Sequence, residues 1–386
     1  MKITYIICLL FLFIFSCNSS KREPNDLSTL EIDLSNSNSS SNIFYEKNEI
    51  FELIPLKYSG NESLIQQMRD LIILKDRFLV VDSDISNNKS LKLFDKQGNF
   101  LKSLNEINHD YVNHSIEFVI QFGEDSIIVV DKSSVLFYLN KDLVVLSEYQ
   151  LPFKAEKLII ANKSFYFHTN KRALNNQSDS LLYNFIVTDY NFNQISKFEL
   201  FKIEAYSQNV SLDVDSNFVP FDSGVTFAPI LSDTIFRITE NGKNPYVIIR
   251  FPTKIFDPKL FPDVSLSSIL PILQSDFSWG IGNIIDNKEI LYFTFFEKNN
   301  MKGVLYDKLN KITHVLSTSD LKSNPNVLPW PNVYHDGKYY GWYSEESASW
   351  FEIGDNKNYE MSILGKINNH INETSNPVIV SYSLKL

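Results

Sequence analysis

Cysteine is nearly missing from this sequence: the two present, Cys8 and Cys17, both fall within the first seventeen of 386 residues. The rest of the chain therefore has neither an internal disulfide nor a cysteine-ligated metal site. Glycine is scarce too, with 12 residues, about half the usual share of ~7%. Positive charge is in deficit, 36 Lys and Arg against 46 Asp and Glu for a formal net charge of −10, which excludes the clustered basic surface that nucleic acid demands. No zinc-protease pair, phosphate loop or nucleophile elbow occurs. Gly280-Ile281-Gly282 lacks the third glycine of a dinucleotide fingerprint. Asp213, Asp215 and Asn217 have the spacing of the first three calcium-loop ligands, but Phe218 stands where that loop needs glycine and Gly224 where it needs glutamate. Of the six histidines only His109 and His114 are close, and five residues apart they do not share a helical face as a metal pair would.

What the sequence has in plenty is Phe (30), Tyr (19) and Asn, within a chain that is 44% hydrophobic and 21% charged. That is globular composition with a bias toward strands. Ile3 to Phe15 is a thirteen-residue run without a charged side chain, preceded by Lys2 and ending at Ser16-Cys17. As a helix it rises about 20 Å, short of the ~30 Å hydrocarbon core, so residues 1–16 read as a signal peptide rather than a span. Ile14-Phe15-Ser16-Cys17 resembles a bacterial lipobox, which implies diacylation of Cys17. The alternative is an ordinary signal peptide cleaved near Ser16, with Cys17 incidental. Ser35 to Asn42 contains only Ser and Asn, and residues 17–48 read as a lipid-anchored flexible tether.

From Glu49 onward, apolar runs of four to eight residues alternate with Asp, Asn, Gly and Lys, the pattern of strands joined by tight turns. The unit repeats. Asp76 to Asp82 followed by Leu93-Phe94-Asp95-Lys96-Gln97-Gly98-Asn99-Phe100 is matched by Glu124 to Asp131 followed by Phe137-Tyr138-Leu139-Asn140-Lys141-Asp142-Leu143, and again by Asn162 to Phe167 followed by Ile186-Val187-Thr188-Asp189-Tyr190-Asn191-Phe192. Asn is expected to take left-handed turn positions that so few glycines cannot fill. A period of roughly 40–50 residues with four strands per unit is the signature of propeller blades. An early strand over Ile50 to Lys57 is expected to pair within the blade completed by Val378 to Leu384, closing the ring. Two apolar stripes, Leu266-Ile269-Leu270-Leu273 and Met361-Leu364-Ile367-Ile371, predict small helical insertions packed on the propeller.

Leu93 to Leu101, Ser232 to Ile238 and Asn376 to Leu386 resemble segments of the six-bladed β-propeller lipoproteins of Bacteroidetes, a family similar to NHL-type propellers, over residues 49–386. The resemblance implies an all-β fold, a six-bladed β-propeller with small helical insertions behind a signal peptide and tether. It also implies a cell-envelope address, most simply the outer membrane facing the periplasm, since Lys21-Arg22 follow Cys17 where surface-exported relatives carry acidic residues.

Chemistry is harder to place. All four tryptophans, Trp279, Trp330, Trp342 and Trp350, lie within 72 residues of the C-terminal third, beside Tyr334, Tyr339, Tyr340 and Tyr343. Exposed aromatic faces stack on sugar rings or anchor protein partners, so Trp330, Trp342, Trp350 and Tyr340 are the candidate contacts for a protein, peptide or glycan, against the ordinary alternative that they fill the core. The leading expectation is a non-catalytic binding or scaffolding module without a cofactor. The alternative is a propeller lyase or hydrolase with polar groups, or an isolated calcium or other metal ion, in the central channel.

Overall fold

The computed structural model describes residues 29–35, 49–105, 107–109, 112–174, 182–201, 216–255, 274, 276–298, 300–317, 328–344 and 362–384. Among them, most strands fall into six four-stranded antiparallel units, the first two of which are joined where Lys89 lies opposite Ile116. The first holds Met68–Ile73, Arg77–Ser83, Lys89–Asp95 and Phe100–Leu104; the second holds Ile116–Gln121, Ser126–Asp131, Val135–Asn140 and Val145–Gln150. The third runs through Lys157–Ala161, Ser164–His168, Tyr183–Thr188 and Gln194–Leu200, and the fourth through Phe218–Phe221, Gly224–Phe227, Thr234–Thr239 and Gly242–Arg250. Phe277–Asp286, Ile290–Glu297, Asn300–Asp307 and Ile312–Ser317 make the fifth.

The sixth sheet joins the two ends of the chain. Val333–His335, Lys338–Tyr343 and Val378–Ser383 are completed by Glu49–Pro55 as the outermost strand, with Leu53 opposite Val380 and Ile54 opposite Ile379. The expected pairing of early and late strands is therefore present. Apolar side chains meet at every junction between neighbouring sheets. Leu79, Leu93, Val129 and Phe137 fill the first–second junction, Val130, Phe153, Phe165 and Phe167 the second–third, and Phe185, Phe218 and Phe227 the third–fourth. Val247 and Phe293 meet at the fourth–fifth, Tyr292 and Tyr382 at the fifth–sixth, and Ile54, Ile379, Ile73 and Phe78 at the sixth–first. The six junctions make a closed ring, the arrangement of a β-propeller. The second strand of each sheet has a buried middle because it is covered on both faces, which is why those runs in the sequence are apolar rather than strictly alternating. Outermost strands such as Val145–Gln150 and Gln194–Leu200 are instead largely exposed.

The repeated turn is a shared piece of side-chain chemistry. Asp95 Oδ1 accepts from the backbone N–H of Gln97 and Asn99, and Asn99 Nδ2 donates to Oδ2. Asp189 does the same with Asn191 and Asn193, and Asn140 holds Asp142 and Val144. One residue in each of these turns must enter the left-handed region: Gly98 (φ 77°), Leu143 (φ 58°) and Phe192 (φ 62°). The expectation that asparagine stands in for glycine is thus corrected for these turns. Asparagine closes them through its side chain, while Leu143 and Phe192 carry the unfavourable backbone; only elsewhere, as at Asn87, Asn162, Asn170 and Asn283, does asparagine itself adopt positive φ.

Two further expectations are settled. The tether over residues 17–48 is interrupted, because Leu30–Asp33 forms a strand parallel to Val247–Arg250 on the outer edge of the fourth sheet. Ile32 and Leu34 are buried there, and Arg250 pairs with Glu31 at 2.6 Å; an Ile-x-Leu spacing on one strand face suffices to fix the segment. The second predicted helical insertion is the helix Ile363–Thr374, capped by Ser362 Oγ accepting from the Gly365 N–H, with Leu364, Ile367 and Ile371 packed into the fifth–sixth junction. Met361 and the stripe Leu266 to Leu273 lie outside the described residues.

Gly98 ties ring closure to the first sheet. Its carbonyl accepts from the Lys57 N–H at 2.8 Å, and a Cβ added there would lie 2.0 Å from the Pro55 carbonyl oxygen. Gly98→Ala combines a positive-φ penalty with a backbone clash against the closing strand, so a destabilisation of about 2–3 kcal/mol is expected in urea unfolding. An unchanged midpoint and slope would show that the closing strand does not bear on that turn.

Candidate functional site

Two concave regions stand out, one on the ring axis and one on its rim. The axial cavity measures about 700 Å³ and is lined by the innermost strand of all six sheets, through Ile72, Val119, Ile159, Val219, Ile284 and Val333 among others. Polar and charged groups punctuate this apolar wall, and they engage one another. Arg69 Nε donates to Ser83 Oγ at 3.0 Å, Lys89 donates to the Glu117 carbonyl, and Lys157 Nζ donates to Asn217 Oδ1 at 2.6 Å. Glu156 is paired with Arg172 at 3.0 Å; burial, the dominant influence, raises its carboxyl above the ordinary range despite that cation.

At the end of Phe277–Asp286, the Asp286 carboxylate is buried beneath four donors: Arg237 (3.1 Å), Lys308, Thr226 Oγ1 (3.0 Å) and Tyr246 Oη (3.4 Å). Arg237 also lies over the Tyr246 ring at 3.8 Å. Burial, reinforced by the Asp286 charge, pushes the Tyr246 phenol up to about 12, so it remains a donor. This group bolts the fourth sheet to the fifth. Among the described residues no three His, Cys, Asp or Glu side chains gather to hold a metal ion. Asp82, on the strand Arg77–Ser83, braces the chain before the first sheet by accepting from the Gln66 and Gln67 N–H groups.

His168 is buried between Phe185 (centroids 5.0 Å) and Phe227 (4.9 Å). Desolvation first, then the nearby Lys157, Lys243 and Lys171, hold its pKa well below the usual 6.5. The folded state thus binds fewer protons than the unfolded one near pH 6, and the associated stability is present above about pH 6.5 and falls as pH drops below it. Urea unfolding at pH 7 and pH 5 checks this: the wild type is expected to lose more stability on acidification than His168→Phe, and equal losses would refute it.

Two of the predicted aromatic contacts, Trp330 and Tyr340, are not on an open face. Trp330 is 9% exposed and packs in the fifth–sixth junction, Tyr340 is 8% exposed in the sixth–first junction, and Trp342 is half-buried against the same cluster. Trp350 lies outside the described residues. For Trp330 and Tyr340 the expectation of a recognition surface is corrected: their rings fill space between sheets, which is where large apolar area is most stabilising. His109 and His114 sit on a short hairpin, opposite Val112 and Ile107 respectively.

The exposed aromatic surface is on the rim, between the second and third sheets. A groove of about 610 Å³ is lined by Phe122, Tyr138, Leu146, Tyr149, Tyr190 and Phe192, with Ser126, Ser147, Glu148 and Asn191 among them. Tyr149 stands on the outermost strand of the second sheet, and Phe192 occupies the left-handed position of the Asp189–Asn193 turn. The turn throws the Phe192 ring flat against Tyr149, with centroids 3.8 Å apart and planes 6° from parallel. Phe122 and Tyr190 meet edge to face at 5.5 Å. Neighbouring Val144, Leu146, Ile195 and Leu200 are also exposed, which extends the patch along both sheet edges. No local sequence signal marks this site, except that Phe192 falls where the equivalent turn has Gly98.

The molecule is accordingly a β-propeller whose axial groups brace one another and whose rim carries an open aromatic groove. The chain belongs to the family described as Domain of unknown function (DUF4934), which matches residues 30–383. Among curated proteins no relative matches it. It is similar in structure to a protein of Bacteroides fragilis described as exported, at 17% identity and a TM-score of 0.69, over 93% of this chain and 100% of that one. Weaker likenesses are to the extracellular domain of a one-component system from B. thetaiotaomicron (8% identity, TM-score 0.37, 64% of this chain and 28% of that one) and to the β-propeller domain of the Trilobed protease of Pyrococcus furiosus (12%, 0.34, 71% and 76%). At these identities the likeness extends to the fold alone.

Proposed function

We infer that this chain is a cell-envelope lipoprotein in which a six-bladed propeller serves as a binding or scaffolding module. In this reading Cys17 is acylated, the anchor sits in the outer membrane facing the periplasm, and the rim groove receives a peptide or glycan partner. The observation that carries it is the groove itself. A contiguous set of partly exposed aromatic and aliphatic side chains, centred on Tyr149 and Leu146, is unusual on a solvated surface and typical of recognition sites. The apolar-to-polar break at Cys17 and the fold shared with a protein described as exported support the address. An axial binding site has less in its favour, since the charged groups there are already bonded within the protein.

Anchoring is checked by metabolic labelling with a fatty acid and fractionation. Cys17→Ser is expected to lose the label and to leave the membrane fraction; retention of both would rule out the lipid anchor. Binding is checked by immobilising the full-length protein in detergent and challenging it separately with defined oligosaccharides and with defined peptides. Leu146→Asp is expected to abolish retention, whereas Arg69→Ala in the channel is expected to leave it intact. The reverse outcome would move the site to the axis.

A further inference from the structure

Resting on the reading of the rim groove as the binding surface, we propose that it takes an uncharged saccharide, whose ring packs on the outer face of Tyr149. Three rings are piled from the core to the surface. Phe165 is fully buried, Phe192 stacks on it at 5.4 Å and 26°, and Tyr149 stacks on Phe192 at 3.8 Å and 6°. Tyr149 is 37% exposed with one face covered, so its other face is the next position in the pile. The ring is held before any ligand arrives, which removes the ordering cost that a mobile side chain would add. The chain sustains this arrangement against its own backbone preference, since Phe192 sits at φ 62° where the matching turn of the first sheet has glycine.

The chemistry around the platform selects among ring-shaped ligands. Ser126, Ser147, Asn191 and Glu148 border the aromatic floor together with the Tyr138 and Tyr190 phenols. Burial pushes the Tyr138 hydroxyl up to about 12, so it is protonated at neutral pH and donates. A sugar presents an apolar C–H face to the stack and hydroxyls to this polar border, whereas a prolyl or aromatic side chain uses the stack and leaves the border unmatched. The lining residues include no Lys, Arg or His and do include one carboxylate. Nucleotides, phosphorylated groups and acidic sugars therefore find no cation in the lining of the groove to pair with.

The test uses full-length protein in detergent against arrayed neutral gluco-, manno-, galacto- and xylo-oligosaccharides, with affinities by calorimetry. At least one series is expected to bind, Tyr149→Ala to weaken it roughly tenfold or more, the scale of an aromatic hot spot, and Tyr149→Phe to retain it. Sulfated and uronate-containing counterparts are expected to bind less well. Tyr149 is on an exposed edge strand, and thermal melting confirms that the variants fold. Absence of neutral-saccharide binding, or binding indifferent to Tyr149→Ala, overturns the proposal. An array of uncharged proline- and aromatic-containing peptides separates the two failures: peptide binding that depends on Tyr149 rejects the saccharide and keeps the groove, while binding of neither class rejects both.

Discussion

A sheet whose outermost strand comes from residues 49–55 and whose other three come from residues 333–383 cannot form until the two ends of the chain meet. Until then the sixth sheet exposes an unpaired edge, and the junctions it shares with the fifth and first sheets are incomplete. Apart from the parallel pairing of Leu30–Asp33 with the fourth sheet, the other strand pairings in the ring join segments close in sequence. The pairing of the two ends is the one that converts a row of meanders into a closed wall with an axial cavity and a defined rim. Its reinforcement is correspondingly dense: Leu56 donates its N–H to the Pro377 carbonyl, Lys57 to Gly98, and Asn376 binds both the Ile65 N–H and the Ser63 carbonyl.

Once the ring is fixed, each junction uses its side chains differently. The fifth–sixth junction takes in the helix Ile363–Thr374 and Trp330 and is wholly packed. The fourth–fifth adds a charged group around Asp286, whose carboxylate is stabilised only because Arg237 and Lys308 are delivered to it from two different strands. Removing one member of such a group would leave buried charge uncompensated, so it specifies the juxtaposition of the two sheets. The second–third junction carries its packing out to the surface. There the aromatic rings continue outward past the sheet edges and end in solvent at Tyr149 and Tyr190.

The sheets were legible in the sequence because their signal is local. Four to eight apolar residues, then Asp or Asn with a partner three or four positions on, specify a strand and its turn without reference to anything distant, and Asp95, Asn140 and Asp189 repeat that formula. The site was not legible for the converse reason. Phe165, Phe192 and Tyr149 are pieced together from two strands and a turn, and none of them is distinguishable in sequence from the aromatic residues that fill the core. The tryptophan-rich C-terminal third drew attention by density, yet density of large rings measures the demand for packing volume, and Trp330 and Tyr340 meet that demand. Leu30–Asp33 was obscured by its surroundings: the alternation Leu30-Glu31-Ile32-Asp33-Leu34 is only five residues long within a polar stretch, and the edge of the fourth sheet gives Ile32 somewhere to go.

That short parallel strand also sets a length. Twelve residues separate Cys17 from Leu30, and even fully extended at ~3.5 Å per residue they reach only about 45 Å. If Cys17 is acylated as proposed, the segment would be held at both ends and would act as a leash. With Cys17 in a bilayer, the fourth-sheet edge would be the part of the rim kept nearest the membrane, and the groove between the second and third sheets would lie around the ring from it. Partners would then be met within a shell one leash deep, at a local concentration set by the tether rather than by the solution.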